Sequence, residues 1–143
     1  LLNGEFFIRY IANKNVRTKT DAINYLTDGP IRSYRVHGFG LNLVLLKETE
    51  MPIGMCGLLT REELDYPDLG YAFLPDFWSK GYASEAADSV LKEGVSAHSL
   101  HTILAITLPC NLRSSGLLKK IGFCFKETTE LNGSQNDVYK YSV

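Results

Sequence analysis

The sequence is short of the features that mark a specialised environment. Its three cysteines, Cys56, Cys110 and Cys124, are odd in number, widely spaced and without a C-x-x-C pair. That excludes a disulfide framework and a zinc ribbon, and reads as reduced thiols in a cytoplasmic protein. No apolar run approaches the roughly 18 residues that a bilayer span requires, and the first residues lack a signal-peptide pattern. Neither sign of charge is in excess: 15 basic and 16 acidic residues leave a formal charge of -1, without runs of like charge. Neither nucleic acid nor a membrane surface is therefore an expected partner. His98 and His101 can share a helical face, but two histidines without Cys or Asp beside them make a poor metal site. No metal is expected.

What is present is enough apolar residue, 45% of 143, to bury one compact core. "LLNGEFFIRYI" reads as a helix, and Thr18 with Asp21 three residues later reads as an N-cap with an acid in the first turn. Asp28-Gly29-Pro30 breaks that second helix, with Pro30 positioned to start another. "FGLNLVLLKETEMPIGMCGLLTR" then has the pattern of a hairpin turning at "ETEMP". "DLGYAFL" is a short strand stopped by Pro75, which has no N–H for a sheet ladder. Ala83, Ala86, Ala87, Val90, Leu91 and Val95 mark the buried side of a helix from Gly81 to about Ala97. "TILAITL" is a β-branched strand, and "NLRSSGLLKKIGF" an amphipathic helix stopped at Gly122. A closing hairpin turns at Asn132-Gly133. The strand–helix–strand unit over 68–108 predicts a parallel pair, and the hairpins predict antiparallel ones. A mixed α/β domain with helices on both faces of one sheet meets both demands.

The stretch "FWSKGYASEA" lies where a strand hands over to a helix. Gly81 leaves out a Cβ, and Ala83 and Ser84 keep the first turn uncrowded, so backbone N–H groups of Ser79, Lys80, Gly81, Tyr82, Ala83 and Ser84 are open to an anion. Lys80 offers a charge there or points to solvent. The plainer reading is a corner in which Gly81 only relieves a clash. The pattern is neither a Walker loop nor G-x-G-x-x-G, so nucleoside triphosphates and nicotinamide cofactors are unsupported. Further on, Asn111 follows a strand directly and opens a helix, with Ser114 in its first turn. Asn111 is a natural N-cap; the same amide can address a pantetheine amide, and Ser114, or less readily Ser115, a departing thiolate.

"LGYAFLPDFWSKGYASEA" followed by "ILAITLPCNLRSSGLLKKIGF" resembles the GNAT superfamily of acyl-CoA-dependent N-acetyltransferases, and within it the ribosomal-protein-alanine N-acetyltransferase-like branch. The phosphate-loop pattern Q/R-x-x-G-x-G/A appears as "WSKGYA", with Trp78 in place of Gln or Arg and with Gly81 and Ala83 at the small positions. The branch's N-x-x-S…K-x-G-F pattern maps onto Asn111, Ser114, Lys120, Gly122 and Phe123. These signatures span 68–123; the hairpin fits more weakly, and residues 1–40 match only in style. The family begins with a strand before its first helices, and this chain starts past that point. The resemblance thus implies a single GNAT-like domain over 1–143 that is shortened at its N-terminus or has that strand elsewhere.

The resemblance implies a mostly antiparallel twisted sheet whose two parallel strands splay apart around acetyl-CoA, with Phe73 and Leu74 pairing with pantetheine and residues 79–84 holding its diphosphate. An acetyl group would pass by direct attack of a primary amine, on a protein N-terminus or a small molecule. Leu74 N–H is then the candidate oxyanion donor, Ser114 the candidate acid near sulfur, and Asp68 the candidate base through water, unless Asp68 is a partly solvated strand-end charge. Glu85 reads as structural and Cys110 as packing. Phe77, Trp78 and Tyr82 read as packing at the cofactor entrance rather than as a nucleobase stack, and Tyr10, Tyr25 and Tyr34 as core rather than an acceptor pocket. Arg61 and Arg32 read as surface residues rather than partners of an acidic acceptor. A homodimer is compatible with the family. With no unambiguous base in view, a catalytically idle acyl-CoA-binding module is the alternative.

Overall fold

The computed structural model describes residues 1–11 and 13–143. The chain opens with helix α1 (Glu5–Tyr10), whose one buried side chain is Phe7. Helix α2 (Lys19–Leu26) starts at the expected cap: the Asp21 N–H donates to Thr18 Oγ1, and the Thr18 N–H donates to the Asp21 carboxylate. Both bonds satisfy amides that the first turn of a helix leaves unpaired. Asp28-Gly29-Pro30 does not break the helix as expected. A π-turn (Thr27–Ile31) carries the backbone directly into α3 (Arg32–His37). Pro30 has no N–H for a four-residue bond, and the wider turn absorbs that loss without leaving helical geometry.

Six strands follow, β1 (Leu41–Leu45), β2 (Pro52–Leu59), β3 (Asp68–Phe73), β4 (Thr102–Thr107), β5 (Cys124–Leu131) and β6 (Ser134–Ser142), in the sheet order β1-β2-β3-β4-β6-β5. Every neighbouring pair is antiparallel except β3 and β4, which are parallel as the strand–helix–strand unit predicts. Their crossover is α4 (Tyr82–Ala97); α5 (Leu112–Lys120) joins β4 to β5. Period-two alternation puts Cys56 and Leu58 of β2, Leu69 of β3, Ile103 and Ala105 of β4 and Tyr139 of β6 on one face, where Ala87 and Leu91 of α4, Leu118 of α5 and Phe123 complete the core. Side chains such as Leu91 and Leu118, both almost fully buried, contribute about 1.5–3 kcal/mol each. Of the apolar positions marked on α4, only Ala87 and Leu91 are fully buried; Gly94 joins them. No described helix is long and apolar enough to cross a membrane.

On the opposite face β2 carries Met55, Gly57 and Leu59, and Gly57 sits under the entry to β1. A Cβ at Gly57 would fall on the Gly40 carbonyl oxygen and within 2.7 Å of Leu41 Cα, both backbone atoms that have no room to retreat. Gly57→Ala is expected to cost about 1–3 kcal/mol by overpacking, read as a lowered urea midpoint at constant m-value. An unchanged midpoint would mean that the β1–β2 hairpin relaxes freely.

Candidate active site

β3 and β4 share a single registered pair, Asp68 with Leu104, supported by the Leu104 N–H donating to the Pro67 carbonyl at 2.9 Å. β3 continues for five more residues, fully paired with β2 on its other side. Backbone groups alternate in direction along a strand. Since the Leu74 N–H donates to the Ile53 carbonyl of β2 at 2.9 Å, Leu74, Ala72 and Gly70 face β2, while Tyr71 and Phe73 face β4. Beyond the one pair, the β4-facing edge of Tyr71 and Phe73 has no strand beside it. The parting opens a cleft of about 870 Å³, lined by Tyr71, Phe73, Trp78, Ser84, Asn111 and Ser114 among others.

This register corrects both expectations for Leu74. Its N–H is consumed by β2, and its carbonyl accepts from the Phe77 N–H at 2.9 Å, so it neither pairs with a ligand in the cleft nor donates to an oxyanion. Phe73 holds the facing position. Its carbonyl accepts a 2.8 Å hydrogen bond from Trp78 Nε1, which stands in for part of the missing ladder, and its N–H remains directed at the gap.

Past Pro75–Phe77, a 3₁₀ turn, the chain reaches the start of α4 through two left-handed residues, Ser79 (φ 59°) and Gly81 (φ 88°). Gly81 is the N-cap and supplies no side-chain bond, so the first amides of α4 are left open at the positive end of a 16-residue helix. Ser79, Gly81, Ala83 and Ser84 line the cleft. Lys80 and Tyr82 do not: the Lys80 ammonium lies 5.7 Å above the Phe77 ring, and the Tyr82 ring packs 6.3 Å from the same ring. Across the mouth, Arg113 stacks its guanidinium 4.9 Å above Trp78 and donates to Ser79 Oγ at 2.9 Å. Nothing in the sequence beyond its position beside Asn111 signals this cation.

Asn111 meets both of its readings. Its Oδ1 caps α5 by accepting from the Ser114 N–H at 3.3 Å, and the residue also lines the cleft. Ser115 is buried, with its hydroxyl donating to the Asn111 carbonyl, so Ser114 is the one that faces the opening. Its Oγ lies 2.7 Å from the hydroxyl of Tyr71, a residue singled out by no motif. Burial pushes the Tyr71 phenol up to about 12, so it stays protonated and is a proton donor, not a base. Cys110 is exposed on the cleft wall rather than packed.

A second cavity, of about 490 Å³, opens beside the first. Phe7, Tyr10, Ile11, Tyr71, Ala72, Asn111 and Ser114 line both, so the two meet at the Tyr71–Ser114 pair. Tyr10 and Tyr25 line this second chamber rather than the core, whereas Tyr34 lies elsewhere, its hydroxyl donating to the Gly40 and Leu41 carbonyls. Asp68 is not a partly solvated strand-end charge. It is fully buried, lines neither cavity, and accepts from Arg61 Nε at 3.1 Å on each oxygen. That removes it as a base for a substrate in the cleft.

An acetyltransferase (GNAT) domain model matches residues 3–124. The chain belongs to the GNAT acetyltransferase family. Among curated relatives, it is 36% identical over 80 residues to the uncharacterised N-acetyltransferase YnaD of Bacillus subtilis, an alignment covering 53% of this chain and 47% of YnaD. The chain spans about half the length of the curated relatives it matches. Its fold superimposes on a GNAT-family acetyltransferase from Bacillus anthracis with a TM-score of 0.75 at 25% identity, over 99% of this chain and 83% of that one. It also matches the microcin C7 self-immunity acetyltransferase MccE, solved with acetyl-CoA and AMP, with a TM-score of 0.80 at 15% identity, over 96% and 79% of the two chains. The GNAT sheet, with its parted parallel strands, is thus the frame in which the residues above stand.

The Asp68–Arg61 pair carries a pH signature. Burial raises the Asp68 carboxyl from 3.8 to about 6, against the opposing pull of Arg61. A carboxyl raised in the folded state favours folding while protonated, and that contribution is lost as pH climbs from 3.8 through about 6. The urea midpoint of the wild type should therefore fall relative to that of Asp68→Asn across this window; a relative rise would show that Arg61 outweighs burial.

Proposed function

We propose that the protein transfers an acetyl group from acetyl-CoA to a primary amine, on a protein N-terminus or a small molecule, by direct attack and without a covalent enzyme intermediate. The observation that carries this reading is the unpaired edge of Tyr71 and Phe73 ending beside the open amides of α4. Pantetheine is an amide chain, and an exposed strand edge takes such a chain as an added strand. The Phe73 N–H and the Tyr71 carbonyl are the groups that would pair with it, and the Asn111 side-chain amide lies on the same cleft. Amides from Ser79 to Ser84 would receive the diphosphate, with Arg113 as the nearest cation and Phe77 and Trp78 walling the entrance. These residues fit the co-substrate in charge, shape and hydrogen-bonding type.

Chemistry belongs where the two cavities meet. The amine nitrogen bonds to the thioester carbon and sheds a proton; the carbon–sulfur bond breaks, and the thiolate takes a proton up. Ser114 Oγ, backed by the neutral Tyr71 phenol, is the proton source for sulfur: its proton goes to the thiolate, Tyr71 refills Ser114, and the water that takes up the amine proton returns one to Tyr71. The Tyr71 N–H, which the same alternation turns toward the gap, is in place of Leu74 the candidate donor to the carbonyl oxygen as charge builds there. No Asp, Glu or His is among the described residues lining either cavity, and in this reading the amine enters in its neutral form and water carries its proton away.

Two measurements test this. Gly81→Glu places bulk and negative charge at a position with a φ of 88°, and should abolish acetyl-CoA binding by calorimetry while the far-ultraviolet spectrum is retained; an affinity within about twofold of wild type would remove residues 79–84 from the diphosphate seat. Tyr71→Phe and Ser114→Ala should each lower kcat about a hundredfold, with little change in acetyl-CoA Kd. Equal turnover would separate the pair from the chemistry, and tight binding without turnover on any amine would make the protein an acyl-CoA-binding module.

A further inference from the structure

Resting on the transferase reading, we infer that the acceptor is a primary amine that also carries a carboxylate, received in the second cavity by Arg61. The sequence alone suggests a surface arginine; its side chain is instead two-thirds buried, fixed by the fully buried Asp68. Nε serves both Asp68 oxygens at 3.1 Å, which locks the guanidinium plane and leaves both terminal nitrogens without a partner among the described residues. Arg61 lines the chamber, so its guanidinium is the cation that a ligand there would meet. A planar, pre-oriented guanidinium is matched to a carboxylate and does not suit a cationic or purely apolar group.

The remaining lining agrees in sign. Among the described residues its only other ionisable chain besides the tyrosines is Lys14, and Asn132, Ser134 and Asn136 from the β5–β6 turn region add neutral polar groups. A polyamine or aminoglycoside would need anionic walls, and the described residues of the chamber lining include no Asp or Glu. Glu62, Glu63 and Asp65 follow Arg61 in the chain but are exposed and lie outside the lining. Along β3, the Asp68–Arg61 pair stands three residues from Tyr71, a separation of about 10 Å at strand rise. An offset of three puts Asp68 and Tyr71 on opposite faces of the strand. The chamber, lined by Leu69 and Tyr71 as well as Gly70 and Ala72, reaches both faces, so an acceptor held at Arg61 would extend its amine between the parted strands toward Tyr71. That chemistry fits either an acidic amino acid or an acidic residue close to a peptide N-terminus.

The test measures thiol release from acetyl-CoA with two matched panels. One compares free aspartate and glutamate with asparagine and glutamine; the other compares tetrapeptides bearing Asp or Glu at their second or third position with their Asn or Gln counterparts. Spermidine is the cationic comparison. Wild type should favour the acidic member of at least one panel by roughly ten- to a hundredfold in kcat/KM, as expected of a charge-assisted hydrogen bond, and the panel that responds identifies the source. In Arg61→Gln that ratio should shrink to within about threefold, mainly through KM, with acetyl-CoA affinity measured in parallel. Because the single change strands a buried carboxylate, the double variant Arg61→Gln with Asp68→Asn repeats the measurement on a neutral pair; should both fail to fold, the wild-type panels decide. Preference for neutral amines or spermidine, or a ratio that survives in either folded variant, overturns the inference while leaving the transferase standing. Acetyl-CoA binding with no turnover on any amine overturns both.

Discussion

A β-strand that loses its neighbour must find other partners for its backbone. β3 meets β4 for one residue pair and then runs on alone along that edge, with N–H and C=O groups that water or a ligand must satisfy. The rest of the site is arranged around this debt. Trp78 covers one carbonyl, α5 brings Asn111 and Ser114 to the gap, and α4 begins where the gap ends. The core from Cys56 to Tyr139, against which Tyr71 packs, holds the two halves of the sheet in place while the edges stay apart.

The parting also gives the two cavities different linings. The larger one is walled by aromatic residues and by open amides at a helix start, which suits a long amide chain ending in phosphates. The smaller one has an arginine held from below by a buried carboxylate. Between them stand two hydroxyls 2.7 Å apart, one belonging to β3 and the other to α5. Neither element could place such a pair alone. In the transfer proposed above, a phenol kept neutral by burial would hold a proton in reserve beside the sulfur, and at rest it places no charge in the interior.

Much of this frame was legible in residue order. Alternation, Gly and Pro positions and the Thr18–Asp21 cap located the strands and helices, and the Gly81 and Asn111 motifs pointed to the cleft that both line. Failures came where local rules do not reach. Pro30 reads as a stop, yet a π-turn accommodates it. Leu74 and Phe73 are adjacent and equally apolar, and only the register with β2 says which one faces the gap. Asp68 reads as a strand-end charge until Arg61, seven residues earlier, is found lying over it.

Composition and periodicity by themselves determined that one mixed sheet would form and that a helix would start at Gly81 with bare amides, because these follow from side-chain size and spacing within a few residues. Tertiary structure alone decided which backbone groups go unpaired, which hydroxyl meets Tyr71, and that Asp68 is sealed away beneath Arg61. Those outcomes depend on residues distant in the chain becoming neighbours, and on the phase of an alternating strand that only its partner can set.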